Sequence, residues 1–195
     1  VLTDQGDRFC ERLVLCPGPW APQLLPAAIG QSLRVLRKPL FWFDSPACFH
    51  EKNPFPVWLF ERPEGIFYGF PIIDGRGLKA AEHSGGTQVF DATRVDRKRR
   101  QDDHDRLAAV LNQHFPGSQT QTCADHTVCL YTMTPDEHFL LGQLRDYHHL
   151  YIGAGLSGHG FKLVPALGEA LAAMVLGQPT DHRLALFDPE RLGSL

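Results

Sequence analysis

The stretch Tyr-Ile-Gly-Ala-Gly-Leu-Ser-Gly-His-Gly-Phe-Lys, residues 151–162, decides how the fold is interpreted. An apolar run enters a glycine-rich turn, and the following sequence predicts a helix over residues 165–176. Glycine permits positive φ values and a close approach of the backbone to a ligand, and the N–H groups that open a helix favour negative charge. The four glycines stand at positions 153, 155, 158 and 160. Alone, the stretch fits either an anion-binding loop or an ordinary tight turn.

The overall composition is typical of a globular protein with a buried core. Of 195 residues, 43% are hydrophobic and 21% are charged. The net charge of -3 provides no electrostatic reason to bind nucleic acid or an anionic membrane, and the basic run 97–100 precedes three aspartates, as in a solvated segment. No apolar run approaches the ~18 residues of a membrane span. Neither nucleic acid nor membrane is therefore predicted as a partner.

Cysteine and histidine usage narrows the chemistry further. The five cysteines are scattered and contain no Cys-x-x-Cys pair, which argues against a disulfide framework and a zinc site. The histidines show no metal-ligand spacing, so no metal is predicted. A reducing compartment, the cytoplasm, is the expected location. Because the chain starts at Val1 in mid-pattern, without an initiating Met, we expect it to be a piece of something longer.

The N-terminal half of the chain predicts a sheet. Residues 9–16 form a short apolar run typical of a buried strand. The turn at Gly18, with a short helix after it, is how nucleotide-binding sheets present a ligand edge. From 33 to 83, strand-like segments alternate with turn residues and predict an antiparallel β-meander. Its Asp-Gly-Arg-Gly turn predicts a hairpin that pairs 68–70 with 78–80.

The C-terminal half mixes helices with strands. Residues 103–115 place their apolar side chains on one helical face and predict an amphipathic helix. Residues 120–132 predict a strand, and 138–141 with 150–154 predict a strand pair before the final helix. The chain is therefore assigned to the α+β class.

Lys79 and His83 are the first candidates for chemistry. Both lie in Gly-Leu-Lys-Ala-Ala-Glu-His, residues 77–83, and the two-residue period of a strand places 79, 81 and 83 on one face. The two side chains should therefore point together toward the core or a cleft. An edge-strand lysine that faces solvent is the alternative.

Two further residues have an open interpretation. Lys162 is predicted in the first turn of the final helix, where the dipole disfavours a cation, so either an anionic ligand group lies nearby or the lysine is simply solvated. Cys129 lies in a strand, where a single cysteine is usually an inert core residue. A reactive thiol would need a base or a positive charge beside it, for which His126, His138 and Lys162 are candidates.

Five collinear stretches closely resemble the monomeric sarcosine oxidase and N-methyltryptophan oxidase family of flavin amine oxidases. They are Leu-Val-Leu-Cys-Pro-Gly-Pro-Trp (13–20), Gly-Ile-Phe-Tyr-Gly-Phe-Pro (65–71), Gly-Leu-Lys-Ala-Ala-Glu-His (77–83), Cys-Leu-Tyr-Thr-Met-Thr-Pro-Asp-Glu-His-Phe (129–139) and Gly-Leu-Ser-Gly-His-Gly-Phe-Lys (155–162). Their order and spacing cover nearly the whole chain.

The resemblance implies roles for the cofactor-binding residues. Cys129 matches the cysteine that carries FAD through a thioether to the 8α-methyl of the flavin. The loop that holds the isoalloxazine ring is matched by Leu156, Gly158, His159, Gly160 and Lys162, and Gly18 is expected to contact the cofactor from the first matched stretch. The N-terminus of the following helix would stabilise the anionic reduced flavin.

The resemblance also implies the substrate chemistry. Lys79 matches the lysine that activates molecular oxygen, and His83 matches a histidine near the substrate amine. Lys162 matches the residue that pairs with the substrate carboxylate, and Tyr68 and Tyr131 match aromatic residues that line the pocket. The implied substrate is a small secondary amine or N-methyl amino acid, and the implied products are an imine and hydrogen peroxide.

The departures from the family pattern concern its N-terminal half. The Gly-x-Gly-x-x-Gly strand–turn–helix, the ribose-binding acid and a carboxylate-clamping arginine are absent, and Leu156 stands where Phe is usual. We expect residues 1–32 to be a residual part of the FAD-binding domain, 33–135 to be the substrate domain, and 136–195 to return to the FAD-binding domain. The N-terminal FAD-binding half is then the missing partner.

Two other interpretations remain. One is a non-catalytic remnant or binding module that keeps the fold but lacks a complete flavin site. The other is a dehydrogenase relative that passes electrons to an acceptor other than oxygen, against which the presence of Lys79 argues.

Overall fold

The structure is a computed structural model that describes residues 1–180 and 183–194. Its helices and strands, in chain order, are β1 (Leu13–Leu15), α1 (Ala21–Leu24), α2 (Ala27–Gly30), β2 (Arg34–Phe43), β3 (Trp58–Arg62), β4 (Gly65–Phe70), β5 (Leu78–Glu82), β6 (Thr87–Val89), α3 (Gln101–His114), β7 (Cys123–Met133), β8 (Leu140–Leu144), β9 (Tyr147–Ala154) and α4 (Val164–Leu176). The predicted α+β class is confirmed.

The chain divides into two compact units, each assembled from separate stretches. Unit 1 comprises residues 1–35, 90–92 and 131–195, and unit 2 comprises residues 36–89 and 93–130.

Unit 2 is built on a six-stranded sheet with the order β3-β4-β5-β2-β6, in which β7 also pairs with β2. The pairs β3–β4, β4–β5 and β2–β5 are antiparallel, as predicted, and the hairpin register joins Phe70 to Lys79 and Gly69 to Ala80. The meander order is wrong, however, because β2 lies beside β5 rather than β3. Most side chains of β2 are buried instead of alternating between buried and exposed, as is usual for a central strand.

The main core of unit 2 lies between this sheet and α3. The predicted amphipathic helix is confirmed, with Leu107, Val110 and Leu111 buried against Phe67 and Leu78 of the sheet. The other face of the sheet carries a smaller buried cluster, made of Leu40, Trp42 and Ala81 with Tyr68 against it. The two faces of β5 therefore have different neighbours.

Unit 1 is built on a three-stranded sheet with the order β1-β9-β8. β1 is parallel to β9 and β8 is antiparallel to it, so the sheet is mixed. One face packs against α1 and α2 through Ala21 and Ile29, and the other packs against α4 through Ala170 and Leu171. The predicted strand pair and final helix are confirmed, although His138 lies two residues ahead of β8, outside the strand.

No helix within residues 1–180 or 183–194 is both long enough and apolar enough to cross a membrane.

Candidate functional site

Lys79 occupies the middle of β5, between β4 and β2. The edge-strand interpretation is therefore wrong. Its cross-strand partners are Phe70 and Trp42, and its Nζ lies 5.2 Å from the centre of the Phe70 ring and 5.1 Å from that of Trp42. Both distances are within the range of a cation–π interaction. The half-buried ammonium group is thus held at a defined place on the sheet.

Tyr68 and His83 lie on the same face of the sheet as Lys79. Tyr68 packs against the cluster that contains Ala81, and its ring is 6.4 Å from the His83 ring in an edge-on arrangement. The Phe70 ring is 6.1 Å from the Tyr68 ring. Unit 2 therefore brings three predicted site residues together beside aromatic neighbours, as the two-residue period predicted.

Cys129 lies in β7 with an exposed side chain. The preceding carbonyl, that of Val128, accepts a 2.7 Å hydrogen bond from Nη1 of Arg97 and so fixes the strand there. His126 is three residues away, on the opposite side of the strand, with its ring 5.5 Å from the ring of the core residue Phe41. The structure thus turns His126 away from the thiol, and Cys129 is exposed rather than part of the core.

His126 is also a poor base where it lies. Burial is the main cause that lowers the pKa of its imidazole, and the charges of Arg37 and Arg99 lower it further. Its Nε2 is buried without a hydrogen-bond partner in the structure. His126 is therefore assigned to the α3 side of unit 2, outside the candidate site.

The glycine-rich loop of unit 1 follows β9 and has a left-handed conformation at three positions. Gly155 has φ 59°, Ser157 has φ 47° and Gly158 has φ 80°. A Cβ at Gly158 would lie 2.2 Å from the Tyr131 ring, so only glycine lets this backbone approach that ring. Gly160 has an ordinary φ of -79°, and its small size is required because Leu156 lies beside it.

Ser157 holds the loop in this conformation, although no sequence motif gives it a role. Its side chain is 2% exposed, and its N–H donates to the Thr132 carbonyl at 3.0 Å. The Ser157 hydroxyl donates to the Gly155 carbonyl at 3.1 Å and accepts from the Thr134 N–H at 3.3 Å. These bonds offset the cost of a left-handed non-glycine residue.

His159 is anchored to the turn between β7 and β8. Its Nε2 is 3.0 Å from the Glu137 carbonyl oxygen, and its ring lies 4.8 Å from the Phe139 ring. That turn is clamped in place by Arg191, whose guanidinium donates to both carboxylate oxygens of Asp136 at 2.7 and 3.0 Å. Those hydrogen bonds from Arg191 hold the pKa of Asp136 far below its usual range. The two residues are 55 positions apart, so no local pattern could have identified the clamp.

Lys162 lies in a 3-10 turn, Phe161–Leu163, directly before α4 rather than in the first turn of α4 itself. Its side chain is exposed, as is that of Phe161. The lysine therefore reaches solvent next to the positive end of a 13-residue helix, where an anionic group would be favoured.

Gly18 follows β1 with φ 53°. Its carbonyl accepts a 3.0 Å hydrogen bond from the Thr132 hydroxyl, and Thr132 also binds the glycine-rich loop through its carbonyl. The Gly18 turn and the loop are therefore connected within unit 1 through one residue, Thr132, which no sequence motif marks. In the part of the chain that is described, no group of three His, Cys, Asp or Glu side chains is arranged to hold a metal ion.

Comparison with known proteins gives the class to which this chain belongs. The profile of the family described as FAD dependent oxidoreductase matches residues 1–174, which is most of the chain. The chain therefore belongs to the FAD-dependent oxidoreductase family.

Individual relatives point in the same direction. The chain is 35% identical to monomeric sarcosine oxidase of Streptomyces avermitilis over 100% of its own length and 51% of that protein. It is 31% identical to N-methyl-L-tryptophan oxidase of Yersinia pestis over 98% of its own length and 50% of that protein. The chain thus spans about half the length of these relatives, and the predicted resemblance is confirmed.

Solved structures share the fold at lower sequence identity. Fructosamine oxidase from Aspergillus fumigatus (Amadoriase II) has a TM-score of 0.76 and 22% identity, with 98% of this chain and 48% of that chain covered. NikD, an amino acid oxidase of nikkomycin biosynthesis, has a TM-score of 0.73 and 21% identity, with 96% and 50% covered. Together with the family match, these likenesses show that the chain contains part of an FAD-binding fold in addition to an antiparallel sheet.

Proposed function

We propose that this chain is the C-terminal part of an FAD-dependent oxidase of secondary amines or N-methyl amino acids. In the proposed reaction the amine loses two electrons and two protons and becomes an imine, and O₂ takes them up to become hydrogen peroxide. The observation that carries the proposal is the position of Lys79, a half-buried cation held between two aromatic rings, with His83 and Tyr68 on the same face.

The residues present fit a flavin. The exposed thiol of Cys129 is accessible for a thioether to the cofactor, and the glycine-rich loop leads to the exposed Lys162 beside the positive end of α4, where negative charge would be favoured. Leu156, Gly158, His159, Gly160 and Lys162 would hold the ring system, and Gly18 would contact the cofactor from the β1 side. When bound, FAD supplies the two-electron acceptor for amine oxidation.

Lys79 would act on oxygen. A cation held at a fixed position stabilises negative charge as it develops on O₂, without the reorganisation that water would need. Its two aromatic neighbours restrict the side chain. This environment supports an oxidase rather than a dehydrogenase.

The substrate would be bound by its two polar ends. Lys162, exposed beside the N-terminus of α4, would pair with the substrate carboxylate. His83 would lie beside the amine, where an imidazole can accept and pass on a proton. Tyr68 and Tyr131 would line the apolar part of the pocket.

We propose that an N-terminal FAD-binding half completes unit 1, with residues 1–32 and 136–195 as its counterpart and 33–135 as the substrate domain. β1 is an edge strand that pairs in parallel with β9, and parallel sheets are normally covered on both faces and extended by further strands. Val14 in β1 is 41% exposed, and Val164 and Leu176 in α4 are 49% and 62% exposed. A further part of the protein could cover this apolar surface.

All five cysteines are free, which supports the cytoplasm as the compartment.

The proposal is tested by expressing the protein from its complete gene with FAD and measuring peroxide release. Sarcosine, N-methyl-L-tryptophan and related N-methyl amino acids are compared with N-methylamines of the same shape that lack the carboxylate. We expect peroxide from the carboxylated compounds, and a raised KM for them alone in Lys162→Met. A colourless protein that takes up no FAD and releases no peroxide would instead support the non-catalytic remnant.

A further inference from the structure

The segment around His83 is held from the face of the sheet opposite to the site. Along β5, Leu78 and Ala80 belong to the core that packs on α3, whereas Ala81 belongs to the cluster on the Tyr68 side. Alternation therefore directs Glu82 and Ser84 toward α3, where both line a cavity of about 270 Å³. His83, between them, points toward Tyr68.

The backbone at His83 is tied to the start of β4. The His83 N–H donates to the Ile66 carbonyl at 2.7 Å, and the Ile66 N–H donates to the Ser84 hydroxyl oxygen at 2.8 Å. The Ser84 hydroxyl donates in turn to Oε1 of Glu82 at 3.0 Å. Arg106 of α3 fixes that carboxylate through bonds of 2.6 and 2.9 Å.

Beyond Ser84 the chain has little conformational restraint of its own. Gly85 and Gly86 both have positive φ, 60° and 112°, and glycine has the largest freedom of any residue. The cavity lies beside them, so the loop has space into which it could move. The loop is held at its far end by β6, which begins at Thr87 and pairs with β2, so the segment left for a side chain to hold is that of Ser84 and Gly85.

Lys38 of β2 holds this segment. Its side chain is 3% exposed, and its Nζ donates to the Ser84 carbonyl at 2.6 Å and to the Gly85 carbonyl at 2.8 Å. Burial lowers the pKa of this ammonium group to about 8, against an opposing effect of Glu82. Arg37, Asp103 and Arg106 are the other charged groups at the same cavity. A lysine kept here at such a desolvation cost needs a compensating role.

We propose that Lys38 is a positioning residue that fixes the direction of His83 by holding the carbonyls of Ser84 and Gly85. This proposal rests on the proposed function, because only there does His83 have a task at the substrate amine. Lys38 touches neither substrate nor cofactor in this scheme.

The test measures the His83 ring directly and needs neither flavin nor activity. In the protein made from its complete gene with labelled histidine, NMR records the contact between the His83 and Tyr68 rings, and hydrogen exchange records the amides of Gly85 and Gly86. In Lys38→Met we expect loss of the ring contact and at least tenfold faster exchange at the two glycines. Lys38→Arg, which keeps donors and charge, should restore both, and the exposed-site control Lys52→Met should change neither.

An unchanged ring contact and unchanged glycine exchange in folded Lys38→Met would overturn the proposal. If that variant does not fold, Lys38→Gln keeps a polar group in the cavity but is too short to reach both carbonyls, and it should weaken the ring contact. A wild-type contact in Lys38→Gln would equally overturn the proposal. Loss of the ring contact in a protein without oxidase activity would leave Lys38 as an anchor and reject only the function proposed for His83.

Discussion

The two units hold their functional residues in different ways. In unit 2, Lys79 and Tyr68 lie in strands and His83 directly follows β5, and the three are positioned by neighbouring strands and by the buried Lys38, which holds the backbone after His83. In unit 1, the glycine-rich loop is positioned by its backbone, through left-handed residues and the absence of side chains at Gly158 and Gly160. The sheet face should therefore tolerate side-chain changes without unfolding and lose chemistry, whereas the loop should lose stability first.

The largest effect is expected at Lys79 in unit 2. In the full-length flavoprotein, Lys79→Met should slow reoxidation by O₂ on the order of 10²–10³-fold, the usual cost of removing one preorganised electrostatic contact. Reduction by substrate should change only a few-fold, because the proposed role of the lysine is with oxygen. Stopped-flow absorbance separates the two half-reactions. Equal slowing of both would remove the oxygen role from Lys79.

The matching change in unit 1 is Gly158→Ala. The added Cβ would contact the Tyr131 ring at 2.2 Å, and φ is +80° there, so we expect destabilisation of about 3 kcal/mol. Gly168→Ala is the control, since Gly168 lies inside α4 with nothing within 4 Å of an added Cβ, and helix propensity favours alanine by about 1 kcal/mol. Urea unfolding measures both variants. A Gly158→Ala protein as stable as wild type would mean that the loop does not depend on its backbone.

Lys38 should make the stability of the protein depend on pH in alkaline solution. Its pKa in the folded protein, about 8, is below the ordinary 10.5. Between these two pH values the lysine is protonated in the unfolded chain but largely neutral in the folded one, so the free energy of unfolding rises with pH. The free energy of unfolding of wild type minus that of Lys38→Met should therefore rise from pH 8 to 10.5, by about 3 kcal/mol at most. Urea midpoints across this range measure the difference. If this difference in the free energy of unfolding did not change between pH 8 and 10.5, Lys38 would not be a buried amine with a lowered pKa.

The smallest effect is expected in unit 1, where the stability contributed by one ion pair should depend on pH in acidic solution. Arg191 lowers the pKa of Asp136, so this pair contributes stability above the unfolded pKa of aspartate, near 4, and loses it as pH falls through the lower folded value. Arg191→Met should cost about 1–2 kcal/mol at pH 7, since the pair is partly solvated, and less below pH 4. Arg183→Met, at an exposed position, is the control. If the destabilisation by Arg191→Met did not change with pH, Arg191 would not stabilise the protein through Asp136.

The contrast between the units also explains what the sequence could predict. The face shared by Lys79 and His83 follows from the two-residue period of a strand, and the helix at Gln101–His114 follows from its apolar stripe. Both are local properties of consecutive residues. The loop after β9 was predicted from its glycines, but the left-handed Ser157 was not, because its conformation depends on hydrogen bonds to Thr132 and Thr134.

Residues that act across the fold had no local signal. β2 was placed in a meander because neighbouring strands usually pair, yet its two-sided burial makes it central. Lys38 in that strand has no pattern to distinguish it from a surface lysine, and its burial depends on a loop 46 residues away. The ion pair of Arg191 with Asp136 likewise exists only once the chain has folded.

The most direct test of the central claim is the mass of the peptide that contains Cys129. The protein is made from its complete gene with FAD, precipitated with acid and digested, and Cys129→Ser is treated in parallel. We expect that flavin remains with the precipitate, that its mass is added to the Cys129 peptide, and that the variant releases it. An unmodified Cys129 peptide, with flavin free in the supernatant or absent altogether, would rule out a flavin bound through Cys129.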